Sequence, residues 1–103
     1  MPLHISIPRD RLAAFCTRWR ITEVALFGSV LRDDFDPESD IDVLVSFDAG
    51  ARHTLWDLAE MERELSSTLG RKADLVARDA VERSPNYIRR AAILSSAQTI
   101  YAA

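Results

Sequence analysis

The chain has 103 residues, of which 48% are apolar and 28% are charged, and its formal net charge is −3. This length allows one domain with a modest core, so we expect residues 1–103 to form a single domain. The negative charge argues against a general nucleic-acid-binding protein, which would display a basic surface, and no direct nucleic-acid binding is expected. Cys16 is the one cysteine, which excludes an intramolecular disulfide, and we expect a buried structural thiol.

The first half of the chain contains one helical pattern and two strand patterns. Apolar residues recur at helical spacing from Leu12 to Trp19, which predicts an amphipathic helix. A short apolar run from Glu23 to Phe27 stops at Gly28 and favours a buried strand. Residues 29–39 are mainly polar and include an Asp-Pro pair, which predicts a short helical turn and a loop. The run from Ile41 to Phe47 predicts the second strand.

The second half predicts a helix, a strand and a last helix. Thr54 is a suitable N-cap for a long helix that Gly70 would end. Residues Ala73 to Ala77 predict a third strand, and the Ser-Pro pair that follows introduces a helix with apolar residues from Tyr87 to Ala97.

These elements predict an α/β (α+β) fold. The connection from the second strand to the third is long enough to be a crossover that includes a helix, which parallel strands require. The sequence therefore predicts a small mixed β-sheet with helices packed mainly on one side. The N-terminal residues lack a signal-peptide pattern, and no apolar run approaches the roughly 20 residues that span a bilayer, so we expect a cytoplasmic protein without membrane association.

Two carboxylates stand at the start of the second predicted strand. Asp40 and Asp42 alternate with Ile41 and Val43, and successive side chains of a strand point to opposite faces. Both carboxylates would therefore lie on one face. Carboxylates held so close repel each other, which favours a shared proton or a bound cation, and a hard divalent ion such as Mg²⁺ fits best.

Asp74 lies on the third predicted strand and is a candidate third ligand. Its neighbours Ala73, Leu75 and Val76 are apolar, so an idle carboxylate there would be costly. Three acids on neighbouring strands suit a site with two metal ions, as used in phosphoryl transfer. For Asp74 alone, an acid on an exposed strand edge is an equally good alternative.

Gly28 and Ser29 follow the first predicted strand. A glycine lets the backbone approach a phosphate closely, and a serine at the start of a turn offers both a hydroxyl and an N–H group. Without the acids downstream, an ordinary turn would be the better explanation of this pair.

The combination resembles a known family signature. Phe27-Gly28-Ser29, a spacer, and then Asp40-Ile41-Asp42-Val43 resemble the signature of the DNA polymerase β-like nucleotidyltransferase superfamily. The short chain is similar to the minimal nucleotidyltransferase (MNT) branch, whose members commonly act as antitoxins beside HEPN ribonuclease toxins. The following residues match the two motifs of that branch: Gly28, Ser29 and Arg32, and then Pro37, Ser39, Asp40, Ile41 and Asp42. Asp33 departs from the pattern, because the family usually has Gly after the arginine.

The resemblance implies an activity and a role for each residue. It implies an enzyme that depends on Mg²⁺ and transfers AMP from ATP to a hydroxyl, expected on a tyrosine, of a HEPN toxin, and so acts as its antitoxin. Asp40, Asp42 and Asp74 would be catalytic and would bind two Mg²⁺ ions. Gly28, Ser29 and Arg32 would bind the nucleotide triphosphate.

The sequence allows two alternative functions, and it leaves the role of one group of residues undecided. The chain could be an antitoxin that neutralises its toxin by binding alone, or it could transfer a nucleotidyl group to a small molecule such as an aminoglycoside. Tyr87, Arg89 and Arg90 could line a partner or nucleotide surface, although a helix with one solvent-facing side is the simpler interpretation.

Overall fold

The structure is a computed structural model that describes residues 7–28 and 40–103. Along these residues the elements are α1 (Arg9–Trp19), β1 (Ile21–Phe27), β2 (Ile41–Phe47), α2 (Leu55–Leu69), β3 (Ala73–Ala77), α3 (Arg78–Glu82), α4 (Tyr87–Ser96) and β4 (Gln98–Ala102).

The strands in the described residues form one mixed sheet in the order β3-β2-β1-β4. Strand β1 pairs antiparallel with β2 and with β4, whereas β2 and β3 pair in parallel. Helix α2 lies in the crossover that this parallel pair requires. The predicted fold class, a small mixed sheet with helices, is therefore confirmed.

The alternation of side chains along the strands separates two apolar clusters. The larger cluster lies between the sheet and the two longer helices, α1 and α2, and includes Phe15, Val24, Leu26, Ile41, Val43, Val45, Met61 and Leu65. The smaller cluster lies on the opposite face of the sheet, where α3 and α4 contribute Val81 and Ile93 against Ala25, Phe27 and Leu44. The two longer helices thus share one face, and the shorter pair covers part of the other.

Helix α2 has the ends that the sequence predicts. The Thr54 hydroxyl accepts a hydrogen bond from the Asp57 N–H, and the Asp57 carboxylate accepts one from the Thr54 N–H, which forms a capping box. Gly70 ends the helix in the left-handed conformation, with φ of 73°. No helix within the described residues is both long and apolar enough to cross a membrane.

The C-terminal part differs from the sequence-based prediction in two respects. The short helix α3 precedes α4, and the last helix ends at Ser96, after which the chain forms the edge strand β4. Strand β4 has five residues, and Ile100 is its one buried residue. Its pairing with β1 stabilises a segment that is too short for its own pattern to indicate a strand.

Candidate active site

Strand β2 carries two of the predicted acids at its start. Ile41, Val43 and Val45 have no exposed surface and pack in the larger cluster, so their side chains fix the orientation of the strand. Asp42 is half-buried and points to the opposite face, as does Leu44, which packs in the smaller cluster. Asp40 immediately precedes the strand and is also half-buried. The predicted separation of carboxylates and apolar anchors is therefore present.

The third predicted acid lies beside the other two. In the parallel pair of β2 and β3, Asp42 is the register partner of Asp74. Ala73 is buried in the larger cluster, so Asp74, the next residue, points to the face that carries Asp42. Register partners in neighbouring strands have backbones roughly 5 Å apart, which brings the two carboxylates into one site.

The surroundings of Asp42 disfavour its charged form. Burial raises the pKa of Asp42 above its ordinary value, and the negative charges of Asp74 and Asp40 raise that pKa further. The positive charge of Arg89, on α4, lowers the pKa of Asp42 in part compensation. Arg89 therefore lies near enough to the acids to interact with Asp42 electrostatically, although a solvent-facing residue was the simpler interpretation of the sequence.

Gly28 brings the end of β1 against Asp42. Phe27, the last residue of β1, is the register partner of Asp42, and Gly28 follows it with φ of 79°. A Cβ atom added at Gly28 would overlap the Asp42 carboxylate, and it would lie 3.3 Å from Asp42 Cγ. Glycine is needed here both for the left-handed backbone and for the space that the carboxylate fills.

The structure thus brings Gly28, Asp40, Asp42 and Asp74 together. The other predicted nucleotide-binding residues, Ser29 and Arg32, lie outside the described residues, and so does Asp33. One further cation, Lys72, places Nζ 3.8 Å from Asp40 Oδ2, and the Lys72 and Asp40 side chains are 70% and 41% exposed. Such an exposed pair contributes little to stability, but it adds positive charge at the edge of the acidic site.

The donor chemistry of the three acids suits Mg²⁺, which prefers carboxylate oxygens. Along residues 7–28 and 40–103, no three His, Cys, Asp or Glu side chains are already gathered tightly enough to form a metal-binding group. The acids do lie close enough for Asp40 and Asp74 to act on the pKa of Asp42, and a cation among them would offset that repulsion. The three acids therefore have the donor chemistry of a divalent-cation site, and a cation would have to draw their carboxylates closer together.

Comparisons with known proteins give a consistent result. The family model described as nucleotidyltransferase domain matches residues 10–96. A candidate protein adenylyltransferase from Methanocaldococcus jannaschii is 33% identical over 64 residues, which cover 62% of this chain and 64% of that protein. The protein adenylyltransferase MntA from Thermococcus cleftensis is 32% identical over 65 residues, which cover 63% of this chain and 64% of that protein. In both relatives the aligned stretch is shorter than two thirds of the whole protein.

Solved structures share the fold. A structure of a minimal nucleotidyltransferase is 32% identical and has a TM-score of 0.64, with 86% of this chain and 85% of that chain covered. A crystal structure of a toxin–antitoxin complex with AMP-PNP has a TM-score of 0.68 at 19% identity, with 94% of this chain and 75% of that chain covered. A structure of a tri-AMPylated Shewanella oneidensis HEPN toxin in complex with MNT antitoxin has a TM-score of 0.58 at 19% identity. The match covers 91% of this chain and 69% of that chain.

Proposed function

This chain belongs to the nucleotidyltransferase domain family, and from this premise we propose that it transfers AMP from ATP to a tyrosine hydroxyl of a partner protein. The partner would be a HEPN-type ribonuclease toxin in the cytoplasm, and the chain would act as its antitoxin. Relatives named protein adenylyltransferase support the reaction, and the similar fold of an MNT antitoxin bound to an AMPylated HEPN toxin supports the partner class.

One observation carries the proposal: Asp42 lies opposite Asp74 in the parallel register, while the backbone of Gly28 leaves room for the Asp42 carboxylate. This arrangement supports a site in which the acids lie beside the backbone at Gly28, where the proposed phosphate contacts begin. It is the arrangement that nucleotidyl transfer needs, because the triphosphate and the attacking hydroxyl must both meet the acids.

Each residue has a role in the proposed reaction. Gly28 and Ser29 hold the β- and γ-phosphates of ATP, and Arg32 offsets part of their charge. Asp40, Asp42 and Asp74 would hold two Mg²⁺ ions, which when bound supply positive charge that stabilises the attacking and leaving oxygens. Gly28 and Asp74 lie on opposite sides of Asp42, which supports a direction of transfer with the triphosphate beside β1 and the acceptor beside β3.

The chemical step is a displacement at the α-phosphorus. The tyrosine oxygen forms a bond to this phosphorus, the bond from the phosphorus to the bridging α–β oxygen breaks, and pyrophosphate leaves. The phenolic proton passes to the Asp74 carboxylate and then to water, so the products are tyrosyl-AMP and pyrophosphate.

The experiment incubates the purified protein with ATP, Mg²⁺ and the product of the neighbouring gene, and it measures by mass spectrometry whether AMP is added. Asp42→Asn and Asp74→Asn should each lower the rate by roughly 100-fold or more, because each removes charge at the reacting phosphate. Asp48→Asn is the matched control, since Asp48 is an exposed acid paired with Arg20 beyond the other end of β2. Its substitution should leave the rate unchanged.

Two results would contradict the proposal. No AMP added to the partner under any of these conditions would exclude the transfer. Transfer undiminished by Asp42→Asn would exclude the assigned acids. Protection from the toxin without ATP would instead support neutralisation by binding alone.

A further inference from the structure

A cavity of about 180 Å³ lies on the same side of the sheet as the acids. Its apolar walls are Val76 from β3, Val81 from α3 and Ile93 from α4, and Arg89 and Arg90 of α4 also line it. The proposed roles of the acids and of the turn after β1 do not use this cavity. It is therefore a candidate for a separate part of the substrate.

The walls of the cavity suit an aromatic ring. An apolar cavity of roughly 150 Å³ is large enough to bind a single benzene ring. Arg90 Nη1 donates a 2.8 Å hydrogen bond to the Ser84 carbonyl oxygen, which fixes this guanidinium at the wall. A guanidinium beside an aromatic face adds a favourable cation–π interaction, and apolar side chains supply the remaining contact area.

The cavity lies next to the acids on the side of β3. Val76 follows Asp74 by two positions, so both side chains point to one face and are separated by roughly 7 Å along the strand. Arg89, which lines the cavity, also acts electrostatically on Asp42. A ring in this cavity could therefore direct a substituent toward the acids.

We infer that this cavity receives the aromatic ring of the acceptor tyrosine and holds the tyrosine hydroxyl beside Asp74. The inference rests on the proposed function and adds to it the place where the acceptor binds. The bonds that form and break are those of the displacement described above, with the phenolic proton again passing to Asp74. Tyr87 and Ile88, at the start of α4, expose 66% and 67% of their surface and would contact the partner segment around the tyrosine.

The alternative occupant is the adenine base of ATP. In the sheet order, β2 with Asp42 separates β1, which leads to Gly28, from β3, which contributes Val76 to the cavity. The triphosphate lies on the Gly28 side under the proposed function, so the β3 side is left for the acceptor. This placement favours the tyrosine over the base.

The test uses binding of model compounds, which does not depend on catalysis. Methyl signals of Val76, Val81 and Ile93 are followed by NMR while N-acetyltyrosinamide or adenosine is added to the whole protein. We expect N-acetyltyrosinamide to shift these three residues' signals with millimolar affinity, and adenosine to leave them unchanged. No shift with N-acetyltyrosinamide, or a larger shift with adenosine, would overturn the inference.

A cavity-filling variant provides the second measurement. Ala80 lines the cavity and lies on the exposed side of α3, so Ala80→Leu should fill the space without removing a core side chain. It should weaken N-acetyltyrosinamide binding at least tenfold, and it should raise KM for the partner protein at least tenfold without changing KM for ATP. Ala59→Leu, the same change on an exposed position of α2, is the matched control and should change neither.

These experiments distinguish a failure of the cavity inference from a failure of the proposed function. If N-acetyltyrosinamide does not bind in the cavity but AMP is transferred to the partner, this inference is wrong and the proposed function stands. If binding in the cavity is found but no AMP is transferred, the proposed function is wrong, and the acceptor role assigned to the cavity is overturned with it.

Discussion

Asp42 of β2 and Asp74 of β3 are register partners in a parallel strand pair, although helix α2 separates them in the sequence. Both side chains are half-buried on the face opposite the larger apolar cluster. The crossover through α2 is what makes the two strands parallel, and the alternation along each strand directs both carboxylates to one face. The fold therefore holds two negative charges together in a position that costs stability when no cation is bound.

The first prediction concerns the pH dependence of that cost. Because burial and the neighbouring acids raise the pKa of Asp42, the folded protein binds a proton more tightly than the unfolded chain, and stability falls as pH rises through the raised pKa. Asp42→Asn should therefore be more stable than the wild type at pH 7 without divalent cations. Its advantage should vanish below the ordinary Asp pKa of 3.8, where both states are protonated.

Urea unfolding at pH 7 and near pH 3.5 measures this difference. Saturating Mg²⁺ should raise the wild-type melting temperature at pH 7 and have a smaller effect on Asp42→Asn, because a ligand that binds only the folded state stabilises it. Asp48→Asn is again the control and should show no such advantage. A destabilised Asp42→Asn at pH 7 would contradict the assigned electrostatic cost.

The second prediction separates two effects at Gly28. The backbone strain alone should make Gly28→Ala lower the free energy of unfolding by about 1–2 kcal/mol. The overlap of the new methyl group with the Asp42 carboxylate should lower the free energy of unfolding further. Gly70 has a similar φ of 73° with no atom within 4 Å of an added Cβ, so Gly70→Ala measures the backbone strain alone. Unfolding of both variants gives the difference that is due to the overlap.

Activity provides the complementary measurement. Gly28→Ala should lower AMP transfer at least tenfold because it displaces Asp42, whereas Gly70→Ala should leave transfer nearly unchanged once the protein is folded. Equal losses of stability and activity in the two variants would show that the contact with Asp42 has no special role.

The sequence is sufficient to predict the parts of the site that depend on local patterns. Strand alternation predicts the shared face of Asp40 and Asp42, and the glycine after an apolar run predicts the end of β1. The position of Asp74 needed one further step, the pairing of β3 with β2, and the long crossover made that step available. The stated roles of Ser29 and Arg32 stay predictions.

Other features arise from packing between distant segments and have no local pattern. Strand β4 is short and has one buried residue, so its place depends on pairing with β1. The cavity between α3 and α4 depends on how two short helices meet β3, and the nearness of Arg89 to Asp42 depends on the same packing. Leu55 and Trp56 at the start of α2 show the converse, because both are large apolar side chains that are more than 80% exposed.

The third prediction concerns Cys16, which is fully buried as the sequence predicts. Burial raises the pKa of its thiol to about 12, so the reactive thiolate is scarce at neutral pH. The thiol should react with a disulfide reagent only when the protein opens, and the reaction rate should rise with urea in parallel with unfolding. Rapid reaction in the native protein at pH 7 would contradict the buried position.

The last prediction concerns how α2 holds the strand that carries Asp74. Strand β3 is an edge strand, and two of its outward N–H groups donate to side chains of α2: the Leu75 N–H to Glu62 Oε2 at 2.9 Å, and the Ala73 N–H to Ser66 Oγ at 2.9 Å. These bonds flank Asp74. They also explain why Glu62 stands within the inward-facing stripe of α2, where an apolar residue would otherwise be expected.

Glu62→Leu should leave the Leu75 N–H without its acceptor and lower stability by about 1–3 kcal/mol, whereas Glu62→Gln keeps an acceptor oxygen and should lose less than half as much. Glu60→Leu is the matched control, since Glu60 is exposed on the same helix and pairs with Arg63. Urea unfolding measures the stability of all three variants, and hydrogen exchange of the Leu75 amide measures the local bond. If Glu62→Gln is as destabilising as Glu62→Leu, or if the Leu75 amide exchanges equally in wild type and Glu62→Leu, the carboxylate does not anchor β3.

If the bond does anchor β3, Glu62→Leu should also lower kcat for AMP transfer more than it changes KM for ATP, because Asp74 would lose its fixed position relative to Asp42.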